Sequence, residues 1–200
     1  MKLVILRHSA LPNAWKGRFL GQMDPRSIPV EDAHLNKINE KLKALNISSI
    51  YSSDLIRCSE LAEILQDRFF SSLSIKTDSR LREVSFGDWE GKLHEELSES
   101  ELTKSDYTRF LREFPNFPPP NAETVPEFLA RIRNFLNTIF TTEDRTVLIV
   151  SHAGVIRGIA SIFLNLDFSQ TFGMQLDYLS ISRFQWEKDF TNLTSWNEIV

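Results

Sequence analysis

The sequence predicts an α/β fold, with a mainly parallel central sheet flanked by helices, in a single domain spanning residues 1–200. Three observations carry that expectation. Leu3-Val4-Ile5-Leu6 and, within the strand over 146–150, Val147-Leu148-Ile149-Val150 are unbroken apolar runs containing β-branched residues, the pattern of strands covered on both faces. Stretches with apolar residues at helical spacing lie between and after them. A chain of 200 residues also has enough interior to hold one core without covalent staples.

The first strand, residues 3–6, stops at Arg7-His8. Pro12, Gly17, Gly21, Pro25 and Pro29 make residues 9–30 a long irregular loop, a length that in compact domains usually serves function. Residues 31–45 read as a helix, with Leu35, Ile38, Leu42 and Leu45 on one face. A short strand over 47–51 ends in Ser52-Ser53-Asp54, residue types that cap helices, and the next helix buries Leu55, Ile56, Leu61, Ala62 and Leu65. Arg57 then falls near its first turn. A third strand is expected near 73–77. Residues 92–120 form an aromatic and charged helical insertion, a lid candidate, closed by the stiff Phe117-Pro118-Pro119-Pro120. Phe128, Leu129, Ile132, Phe135, Leu136 and Ile139 mark a helix over 125–140. The strong strand at 146–150 leads through Ser151-His152 into a helix over 154–164, and 178–186 and 190–193 alternate like strands at a sheet edge.

Composition narrows the function. Lysine plus arginine number 23 against 27 acidic residues, a formal net charge of −4, so no overall field favours nucleic acid or an anionic membrane surface. One cysteine, Cys58, allows neither an internal disulfide nor a multi-cysteine zinc site, which favours a reducing compartment. The apolar run before Arg7 is too short for a signal peptide and no run approaches a membrane span, so the cytoplasm is the expected location. In parallel sheets ligands bind beyond the carboxyl ends of the strands. His8 and His152 each follow such an end.

Four segments, Leu6-Arg7-His8 with its Gly/Pro-rich loop, Ser52-Ser53-Asp54-Leu55-Ile56-Arg57, the stretch from Leu81-Arg82-Glu83 to Gly91, and Val150-Ser151-His152-Ala153-Gly154, resemble the landmark motifs of the histidine phosphatase superfamily, phosphoglycerate mutase-like branch. They occur in family order over nearly the whole chain. The resemblance implies a phosphomonoester hydrolase that works through a phosphohistidine on His8 and needs neither metal nor cofactor. A neutral imidazole is a competent nucleophile near pH 7. It also implies that Arg7 and Arg57 bind the phosphate, because the planar guanidinium fork spans two phosphate oxygens, and that His152 helps stabilise the transition state. Glu83 takes the acid/base position, with Asp88 and Glu90 as neighbouring alternatives. Asn13, Gly21 and Ala153 complete the expected substrate-binding set with Arg7, Arg57 and His152.

The chain departs from the family pattern at Ser9, where glycine is usual, at Ala10-Leu11, where Glu-Thr is common, and at Ala14, where asparagine is common beside Asn13. Cys58, Trp89 and Phe86 read as packing residues, and His34 and His94 match no landmark. The short insertion, with Lys92, Lys104, Arg109 and Arg112 as its basic residues, favours a hydrolase over a mutase. Within the hydrolases, 55–62, Gly21-Gln22-Met23-Asp24 and Pro120-Asn121-Ala122-Glu123-Thr124 resemble alpha-ribazole phosphatases of cobalamin biosynthesis. The expected partner is a small phosphorylated metabolite, with a homodimer left open. The competing expectations are a phosphoglycerate mutase, a broad-specificity sugar phosphate phosphatase, and a catalytically silent module that binds phosphorylated ligands.

Overall fold

Alternation along the first strand divides the core in two. In a computed structural model, which describes residues 1–187 and 190–200, β1 (Lys2–Arg7) sends Leu3 and Ile5 to one face of the sheet and Val4 and Leu6 to the other. Strands β2 (Ser49–Ser52), β3 (Ile75–Thr77), β4 (Thr146–Ser151), β5 (Ile181–Glu187) and β6 (Phe190–Glu198) complete a sheet of order β3-β2-β4-β1-β5-β6. The first four positions are parallel, and β5 and β6 are antiparallel additions.

Helices α1 (Asp32–Leu42) and α2 (Ile56–Phe69) bury Leu35, Ile38, Leu61 and Leu65 against the face carrying Val4 and Leu6. The α5 helix (Val125–Phe140) and the α6 helix (Ala153–Leu164) bury Phe128, Ile132, Val155 and Ile159 against the opposite face. Neighbouring strands β1 and β4 therefore lead into helices on opposite sides, and a crevice opens beyond their carboxyl ends. The insertion supplies α3 (His94–Glu99) and α4 (Lys104–Glu113), whose Leu97, Tyr107 and Phe110 gather with Phe19 and Trp89 into a separate aromatic cluster.

Local chemistry adjusts several boundaries. The expected helix over 31–45 stops as α-helix at Leu42, then tightens into a 3-10 turn that Asn46 closes with φ 51°. Ser52-Ser53-Asp54 does not cap α2. The cap comes from the long loop, where Asp24 Oδ1 accepts from Ile56 N at 2.7 Å. The stretch expected to be strand from 178 begins only at Ile181, because Leu179 turns the chain with φ 60°. Thr124 and Glu127 form a reciprocal capping box that starts α5 directly after the proline-rich stretch. No helix among the described residues is long and apolar enough to cross a membrane.

Candidate active site

Register alone brings two histidines together. Arg7 stands opposite Ser151 in the parallel ladder, and His8 N donates to the Ser151 carbonyl at 3.0 Å. His8 and His152 thus leave adjacent strand ends at one level, with ring centroids 5.2 Å apart. Both are buried.

The hydrogen bonds fix the tautomers. His8 Nδ1 lies 2.7 Å from the Ser9 carbonyl, which can only accept, so Nδ1 carries the proton and Nε2 keeps its lone pair. Burial, then the charges of Arg57 and Arg7, pushes the His8 pKa well below the usual histidine value. The ring is therefore neutral at pH 7. His152 Nδ1 accepts from Arg57 Nε at 3.2 Å, so its Nε2–H donates to Ser53 Oγ at 2.9 Å. Burial and the Arg57 charge push the pKa of this ring far down as well. Both its nitrogens have protein partners, and the ring brings no positive charge. Any transition-state stabilisation by His152, expected from the family resemblance, therefore comes without a positive charge on the ring, and the fixed positive charge belongs to the arginines.

Arg57, fully buried at the start of α2, also donates to the carbonyls of Met23 at 2.6 Å and Gly21 at 2.8 Å. Three of the five N–H donors of a guanidinium are thereby used and two remain. Arg7 donates to the Leu176 carbonyl at 2.7 Å and lies on the Tyr178 ring, Cζ 3.9 Å from its centroid. Its buried Nε has no partner among the described residues. Burial lowers the pKa of both arginines, yet a guanidinium keeps its charge at any physiological pH.

Of the three candidate carboxylates only Glu83 faces the cleft. Its Oε1 accepts from Val84 N at 2.9 Å and its Oε2 from Gly154 N at 3.1 Å, in the first turn of α6. A Cβ at position 154 would sit 2.0 Å from Glu83 Oε1, so glycine there admits the carboxylate. The Glu90 carboxylate clasps its own loop instead, accepting from Gln22 N, Phe86 N and Ser85 Oγ, each at 3.0 Å. Asp88 is exposed and bonds Asn121.

A cleft of about 280 Å³ is lined by Arg7, His8, Gly21, Arg57, Glu83 and Tyr178 among others. Gly21 enters through its backbone: its φ is 51°, its carbonyl holds Arg57, and a Cβ on it would meet Glu90 at 2.2 Å. Asn13 is exposed at the start of a 3-10 turn and does not line this cleft. Ala153 does not line it either and borders a neighbouring chamber.

Residues 3–199 match the histidine phosphatase superfamily (branch 1). The chain belongs to that superfamily. It is 26% identical over 192 residues to phosphoserine phosphatase 1 of Hydrogenobacter thermophilus, covering 94% of this chain and 88% of the relative. It is 29% identical over 113 residues to the adenosylcobalamin/alpha-ribazole phosphatase of Escherichia coli, covering 52% and 53%. The solved structure of the alpha-ribazole phosphatase from Shigella flexneri shares its fold, with TM-score 0.85 at 20% identity, covering 100% of this chain and 98% of the other. The family match together with relatives named as phosphatases makes the chain a phosphatase, while the names of those relatives differ in the ester they specify.

The cleft and its surroundings also take in residues that the motifs do not signal. Tyr178 comes from a loop whose strand-like pattern conceals the turn at Leu179, and Ser53, instead of capping a helix, accepts from His152. Ser9, which stands where the family resemblance leads one to expect glycine, turns its hydroxyl to the Ile28 carbonyl at 2.8 Å, pinning the loop while its own carbonyl orients His8. Phe86 lines the cleft as well as packing on Phe19. Cys58 is buried, and burial pushes its thiol pKa well up, which suits a packing role.

Proposed function

We propose that this phosphatase hydrolyses phosphate monoesters through a phosphohistidine on His8. The carrying observation is a neutral His8, its Nε2 lone pair free, beside two guanidinium groups locked by backbone carbonyls. Nε2 attacks phosphorus as the ester P–O bond breaks, and Glu83 serves as the general acid through which the leaving alkoxide gains its proton. Water, losing its proton to Glu83, then attacks the phosphorus, the P–N bond breaks, and inorganic phosphate leaves. The remaining N–H donors of Arg57 and the unpartnered Nε of Arg7 suit the charge spread over the equatorial oxygens. The Ser9 carbonyl, accepting from Nδ1, favours the cationic phosphohistidine.

The finer reading is alpha-ribazole 5′-phosphate as substrate, in a cytoplasmic cobalamin pathway. It is supported by the segments at 21–24, 55–62 and 120–124 and by the Escherichia coli relative. Phosphoserine is the second reading, favoured by a relative that matches along most of both chains. Phosphate release measured on alpha-ribazole 5′-phosphate, phosphoserine and 3-phosphoglycerate decides between them. The expected result is the highest kcat/KM for alpha-ribazole 5′-phosphate, with release abolished in His8→Ala. Equal or better turnover of phosphoserine overturns the finer reading, and release that survives His8→Ala overturns the mechanism.

A further inference from the structure

A second chamber, about 510 Å³, opens off the reactive cleft, and the two share Arg18, Leu20, Glu83 and Phe86. Its wall is aromatic. Phe19, Phe110, Phe114, Phe168 and Phe172 line it with Leu111, drawn from the first loop, α4 and its end, and the 3-10 segment Phe168–Gly173. Leu111 and Phe172 stand at its mouth, 59% and 51% exposed despite their apolar character.

The wall's polar members besides Glu83 are anchored by protein partners, with three guanidinium donors left on each arginine. Arg18 donates to the carbonyls of Ala14 and Gly91, at 3.0 and 2.6 Å. His94 Nδ1 lies 3.0 Å from the Tyr107 hydroxyl. Arg157 donates to the carbonyls of Thr171 and Met174, its Cζ 5.1 Å from the Phe172 ring centroid. A charged or strongly hydrated group entering this chamber would lose water against phenyl rings. An aromatic body would bury its faces and edges among them.

Glu83 stands at the seam. With phosphorus at His8 and the bridging ester oxygen at Glu83, the alcohol half of the substrate points into the aromatic chamber. We propose that this chamber binds the alcohol half of the substrate and selects an aromatic ring system. The assignment rests on the phosphomonoesterase reading above and adds the chemical class of the group that leaves.

The test holds leaving-group reactivity constant by comparing 2-(2-naphthyl)ethyl phosphate with ethyl phosphate on the full chain. The expected kcat/KM ratio is at least about 10 in favour of the naphthyl ester. Leu111→Asp and Phe172→Ser, both at the exposed mouth, should lower that ratio about fivefold or more. In parallel, calorimetry with the two corresponding phosphonates, which are not hydrolysed, reads the same preference as a ratio of Kd values. Turnover of both esters with a ratio near one, or a ratio that neither variant moves, overturns the chamber assignment and leaves the catalytic reading standing. Absence of turnover together with a naphthyl preference among the phosphonates overturns the catalytic reading and upholds the chamber.

Discussion

Gly154 does for Glu83 what no other residue can. The carboxylate occupies the space of the missing Cβ and accepts from the first turn of α6. Gly154→Ala should displace Glu83 from the seam, lowering kcat about 10²-fold, the scale of a lost general acid, while thermal stability changes little. Steady-state kinetics beside a melting curve checks this, and an unaltered kcat would show that Glu83 does not need its seat. Arg7, His8, Arg57, Glu83 and His152 were legible because they lie in ordered motifs beside strand ends and a helix start. Tyr178 was not. It reaches the site through a left-handed turn at Leu179, a position where leucine gives no turn signal. Nor does the sequence disclose that Arg57 donates to His152, which decides the tautomer and charge of that ring.

Elements extend the same logic. The strands and helices were readable because each buries a face at its own period, and β4, fully buried, is the clearest. The cap of α2 was not readable, because its partner Asp24 lies 32 residues upstream in the loop. The neighbouring Met23 carbonyl holds Arg57, so one loop both caps the helix and aims its guanidinium. Asp24→Ala should cost about 1 kcal/mol of stability, the usual worth of an N-cap, and should also raise KM through the loosened Arg57. Urea denaturation and the KM for one ester measure the two effects. A stability loss with KM unchanged would separate the cap from the site.

At the scale of the whole molecule, a net charge of −4 hides a cationic pocket lined by the neutral imidazole of His8, with the neutral His152 ring buried beside it. Burying both rings uncharged ties stability to pH. The pKa values of His8 and His152 are depressed in the folded state, so below ~6.5 the unfolded chain binds more protons than the native one. Their contribution is fully present above ~6.5 and is lost as pH falls toward the folded values. Between pH 7.5 and 5.5 stability should fall, with a limiting slope of about 1.4 kcal/mol per pH unit for each ring that stays neutral. Urea unfolding at the two pH values reads this directly, and an unchanged midpoint would mean that the rings are not held neutral.

The central claim is that His8 Nε2 becomes phosphorylated, and the most direct measurement is to trap it. Mixing the protein with a ³²P-labelled phosphate ester, quenching in alkaline detergent within milliseconds and mapping the label by mass spectrometry should place one phosphoryl group on His8 Nε2. That label should be stable to base and lost in acid. Phosphate release with no label on His8, or an acid-stable label on a serine such as Ser53, would contradict the account.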